Sequence, residues 1–111
     1  MIKIEIQKKN ERITYFEISG HADFKEHGED IICSAVSSVV QMTLNGLLEI
    51  LKLQNLKYTE KEGYVICDLE KSGLNDEEYK KADILTQSML SYLKEIGKTY
   101  GKYVNLEIRE V

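Results

Sequence analysis

The sequence predicts an α+β fold in the order ββαββαβ, with an antiparallel or mixed sheet and two helices, the long first helix buried on two sides. Three observations predict it. Short runs alternate apolar and polar residues, two longer runs repeat at helical spacing, and polar turn residues separate the runs. With 111 residues, no proline, no internal repeat and no low-complexity tract, residues 1–111 are expected to form a single domain with one modest core.

Ile2, Ile4 and Ile6 alternate with charged and polar residues, Lys9-Asn10-Glu11 turns the chain, and Thr14, Phe16 and Ile18 resume the period of two. This pattern is a β-hairpin with one buried face. Gly20 ends it. Residues 21–30 show no apolar period and hold four acidic residues, which predicts an exposed, mobile loop.

From Ile31 to about Leu53 the spacing is helical, with a broad apolar arc of Ala35, Val36, Val39, Val40, Met42, Leu44, Leu47, Ile50 and Leu51. Such an arc needs cover on two sides, one from a sheet and one from a second helix or a second copy of the chain. The opposite stripe, Ser34, Ser38, Gln41, Asn45, Glu49 and Lys52, is mostly uncharged.

Leu56 to Glu60, a Lys61-Glu62-Gly63 turn and Tyr64 to Leu69 predict a second hairpin, in which Val65, Cys67 and Leu69 share a face. Cys67 is therefore expected in the core. Asn75 and Glu78 form a capping box opening a second helix, with Tyr79, Ala82, Leu85, Met89, Leu93 and Ile96 on its apolar face and Gly97 or Gly101 at its end. Val104, Leu106 and Ile108 alternate as a last strand.

The formal net charge of −4 argues against non-specific attraction to nucleic acid. The N-terminal residues alternate where a secretory signal would be continuously apolar, and no segment has eighteen unbroken apolar residues, so a cytoplasmic location with no membrane partner is expected. There, Cys33 and Cys67 are expected as reduced thiols, with a bridge between them as the alternative.

Residues 20–40, GHADFKEHGEDIICSAVSSVV, gather both histidines and one of the two cysteines. Cys33 is expected in the first turn of the long helix with Asp30 as its N-cap, where backbone dipoles favour a thiolate. Eleven residues separate His21 from Cys33, so a short loop can return the imidazole to the thiol. In such a dyad the imidazole takes the thiol proton and later protonates the leaving amine, and the amides of Cys33 and Ser34 are candidate oxyanion donors. Ser37 lies one helical turn beyond Cys33. A carboxylate beside the sulfur would oppose its ionisation, so Asp30 fits better as a cap or as a partner of His21.

Blander readings compete. Cys33 can be a packed thiol, His21 a structural or merely exposed histidine, His27 a solvated side chain, Gly20 a simple turn residue and Ser37 a small packing residue. A metal site from His21, His27 and Cys33, with Asp23 and Asp30 as oxygen donors, matches no standard zinc spacing, and no metal or other cofactor is expected.

Gly20-His21-Ala22 after a first hairpin, followed by an acidic loop and Asp30-Ile31-Ile32-Cys33-Ser34-Ala35-Val36-Ser37, resembles the ribosomal-processing cysteine protease family of bacteria. The resemblance spans the chain in length and element order. It implies a hydrolase, a thiol endopeptidase active in ribosome biogenesis, that removes the N-terminal extension of large-subunit ribosomal protein twenty-seven by cutting after aromatic leader residues. It also implies Cys33 as nucleophile, His21 as base, Gly20, Asp30 and Ser37 as further site positions, Ala22 to Glu29 as a flap over the substrate, and a homodimer. Ser34 stands where the family often has alanine. A non-catalytic module assisting ribosome assembly, using the polar stripe of the long helix and the flap, is the alternative from a different class.

Overall fold

The structure is a computed structural model that describes residues 1–20 and 27–111, with side chains described for 1–20 and 31–111. In chain order the elements are β1 (Ile2–Lys9), β2 (Arg12–Ser19), α1 (His27–Asn45) continued by a π-helical turn (Gly46–Ile50), β3 (Lys57–Lys61), β4 (Tyr64–Asp68), a short 3₁₀ turn (Glu70–Ser72), α2 (Asp76–Thr99) and β5 (Val104–Glu110). The α+β order predicted above is therefore observed.

The five strands form one mixed sheet in the order β3-β4-β2-β1-β5. Both hairpins are antiparallel, as is the β2–β4 pairing, whereas β5 runs parallel to β1. The two helices make the crossovers that parallel strands require, α1 between β2 and β3 and α2 between β4 and β5. The alternation decides which face they cover. Ile2, Ile4, Ile6, Phe16, Ile18, Val65 and Cys67 are buried beneath the helices; Lys3, Glu5, Gln7, Tyr15 and Glu17 face the other way.

The first hairpin turns at Asn10 and Glu11, with φ of 52° and 69°. Two successive left-handed residues match the twist of a tight hairpin. A register shift after Gln7 leaves Thr14 out of the ladder, with its hydroxyl donating to the Gln7 carbonyl at 3.3 Å. The bulge turns both Ile13 and Thr14 inward. From α2, Asp83 accepts the Ile13 amide at 3.0 Å and Gln87 donates to the Glu11 carbonyl at 2.9 Å, tying helix to hairpin.

On α1 and its π-helical continuation, Val36, Val40, Leu44 and Leu47 pack into the core, each burial contributing about 1.5–3 kcal/mol. Ile31–Ile50 has the length and hydropathy of a membrane-crossing helix, but this face is spent on the sheet and on α2. The second cover is incomplete: Met42 and Ile50 remain 68% and 73% exposed. Close approach of the helices depends on Gly46, where a Cβ atom would stand 2.9 Å from Leu85 Cδ1.

The capping box of α2 is present, with the Glu78 amide donating to Asn75 Oδ1 at 2.8 Å and the Asn75 amide to Glu78 Oε1 at 3.0 Å. Ala82, Met89, Leu93 and Ile96 are buried as expected, together with Thr86 and Leu90. The helix passes through Gly97 and ends at Thr99.

Candidate active site

The first helix begins earlier than its apolar period indicates. Acidic residues in the opening turn are favoured by the helix dipole, and α1 starts at His27, four residues ahead of Ile31. Asp30 is thus inside the helix and is not its N-cap, which corrects that expectation. Cys33 consequently lies in the second turn. Its amide and that of Ser34 fall among those that a helix engages with the carbonyls four residues back, so the expected oxyanion donors are already occupied, and the orphan amides are those at the start of α1.

Within this helix the side chains sort by angle. Ile32 and Val36 are buried, 5% and 0% exposed, and hold α1 to the core. Cys33 and Ser37, one step round, are half-buried, and Ser34 faces solvent. Cys33 Sγ lies 3.9 Å from Ser37 Oγ. Cys33 therefore sits at the border between core and solvent, half-buried with Ser37 beside it.

Cys67 is the opposite case. It is fully buried on β4, paired with Phe16 and Tyr58, and burial first, then the neighbouring Asp68 carboxylate, push its thiol up to about 12. Such a thiol keeps its proton and is inert as a nucleophile. The cysteines are not bridged to each other.

Gly20 closes β2 in a left-handed conformation, φ +86°, and a Cβ there would stand 2.6 Å from the Met1 carbonyl oxygen. Only glycine fits that combination of torsion and contact. Its amide donates to the Gly63 carbonyl at 3.2 Å. This contact with the β3–β4 turn was not legible in the sequence, because it depends on which strands become neighbours.

His21, Asp23 and the Ala22 to Glu26 part of the flap lie outside the described residues, as do the side chains of His27 and Asp30. His27 to Asp30, expected in a loop, are helical in backbone. The metal alternative rests mainly on these residues; among the described residues no group of three or more His, Cys, Asp or Glu converges.

Comparison with known proteins gives a consistent answer. The family described as cysteine protease Prp matches residues 1–105. The ribosomal processing cysteine protease Prp of Bacillus subtilis is 32% identical over 102 residues, covering 90% of each chain. Its counterpart in Staphylococcus aureus is 26% identical over 111 residues, covering 98% of this chain and all of that one. Among solved structures, SMU.848 from Streptococcus mutans superposes with a TM-score of 0.85 at 24% identity over 100% of this chain and 96% of that one. The S. aureus protease Prp with a covalently linked product peptide superposes with a TM-score of 0.73 at 27% identity, over 98% of this chain and all of that one.

Proposed function

The chain belongs to the cysteine protease Prp family, and from that premise we propose that it is the endopeptidase that removes the N-terminal extension of large-subunit ribosomal protein twenty-seven, cutting after aromatic residues. Cys33 is the nucleophile and His21 its base. The observation that carries this reading is the contrast between the two thiols: Cys33 is half-exposed on a helix that follows the histidine segment, whereas Cys67 is sealed in the core. A second support is a relative, the S. aureus protease Prp, solved with a covalently linked product peptide.

In the proposed reaction the His21 imidazole takes the Cys33 proton and the sulfur attacks the scissile carbonyl. The resulting tetrahedral oxyanion collapses as the imidazolium protonates the leaving amine, leaving a thioester on Cys33. Water, deprotonated by the same imidazole, then releases the acid and restores the thiol. Asp30 orients His21, Ser37 supports the sulfur, Gly20 sets the start of the histidine segment, and Ser34 contributes a small exposed side chain beside the substrate path. The flap, its bounds narrowed to Ala22–Glu26 because His27 to Glu29 belong to α1, closes over the peptide and excludes water.

We also place the enzyme in the cytoplasm as a homodimer. A groove of about 530 Å³ between the helices, lined by Val39, Met42, Ile50, Leu85, Met89 and Tyr92 among others, leaves apolar surface uncovered. An uncharged apolar face of this kind fits a second copy.

Incubation with a leader peptide, alongside Cys33→Ala and His21→Ala, tests the reading. Cleavage is expected from the wild type alone; equal cleavage by all three proteins would overturn it.

A further inference from the structure

Resting on the reading that His21 is the base, we propose that Gly63 is a positioning residue that sets where the histidine segment leaves the sheet. Ser19 and Tyr64 are the last paired residues of β2 and β4. The Gly20 amide, donating to the Gly63 carbonyl at 3.2 Å, extends that ladder by one rung. The next residue in the chain is His21.

Both members of this rung are left-handed glycines, with φ +86° at Gly20 and +93° at Gly63. On the other side of Gly20, the Met1 carbonyl occupies the space a Cβ would need. Gly20 is therefore held between Met1, just ahead of β1, and the β3–β4 turn, and the direction in which the chain departs toward residue 21 depends on where the Gly63 carbonyl points. The β3 side chains and Glu62 are exposed, so the turn supplies little to the core. The main-chain contact is the route by which a substitution at Gly63 would reach the site in this proposal. Misplacing a catalytic group by about 1 Å costs up to about a hundredfold in rate.

The third left-handed glycine, Gly73, provides the control. It has φ +66° with nothing within 4 Å of an added Cβ, and it follows the end of β4 at the opposite end of the sheet. Gly63→Ala, Gly63→Asn and Gly73→Ala are compared by kcat and KM on a leader peptide, by the pH dependence of Cys33 alkylation, and by Tm. Asparagine tolerates positive φ better than alanine. The expected order of kcat is wild type, then Gly63→Asn, then Gly63→Ala at about a tenfold loss, with KM within about twofold. The Cys33 alkylation profile is expected to shift in the Gly63 variants, and Gly73→Ala to keep wild-type kcat despite its own loss of Tm. Should Gly63→Ala not fold, Gly63→Asn decides by the same readouts. Unchanged kcat in the folded Gly63 variants, or an equal loss in Gly73→Ala, overturns the proposal. If His21→Ala cleaves like wild type, the dyad reading fails instead, whatever the Gly63 variants do.

Discussion

Cys33 Sγ and Ser37 Oγ stand 3.9 Å apart on successive turns of α1. The four-residue separation places them on one side of the helix, and both are half-buried. The hydroxyl can donate to a sulfur anion and costs little when the sulfur is protonated. Ser37→Ala is expected to lower kcat on a leader peptide about tenfold, equivalent to ~1.4 kcal/mol, with KM little changed. Steady-state kinetics check this, and an unaltered kcat would reduce Ser37 to a packing residue.

The two thiols should differ in solution. A thiol reagent applied to the folded protein at neutral pH is expected to modify Cys33 alone, and Cys67 only after unfolding. Peptide mapping by mass spectrometry after timed labelling gives the answer; early labelling at Cys67 would contradict its burial.

The same burial makes stability depend on pH. The folded Cys67 thiol keeps its proton to about pH 12, against an ordinary value of 9.0. Between those values the unfolded chain releases a proton that the folded chain retains, so stability is fully present below about pH 9 and is lost as pH rises toward 12. Relative to Cys67→Val, the wild type is expected to lose about 1 kcal/mol per pH unit in that window. Urea unfolding at pH 8, 9.5 and 11 measures the difference, and parallel curves for the two proteins would refute it.

Asn75 and Glu78 cap α2 reciprocally, each side chain accepting the other's amide. Asn75→Ala is expected to cost about 1 kcal/mol, and Asn75→Asp much less. Thermal unfolding should show Tm lowered by about 4 °C in the first variant only.

Met42 and Ile50 border the groove between the helices. Met42→Glu places a charge where the proposed second copy would bury it, at a cost of about 3 kcal/mol or more. That corresponds to at least about a hundredfold weaker dimerisation. Sedimentation at micromolar concentration should find a dimer in the wild type and a monomer in Met42→Glu; identical behaviour would remove this face as the interface.

Strands, helices and core were legible in the linear sequence because a period of two or of 3.6 commits each side chain to a face before any neighbour is chosen. Ile2, Ile4 and Ile6, the Asn75–Glu78 box and the packed Cys67 all follow from such local rules. The start of α1 did not, since acidic residues favoured by the helix dipole carry no apolar period. Their inclusion moved Cys33 from the first turn to the second. Strand adjacency was likewise undecided: only the assembled sheet brings Gly63 and Met1 against Gly20, through main-chain contacts between segments far apart in the chain. Side-chain periodicity records which face a residue takes, but not which distant backbone lies beside it.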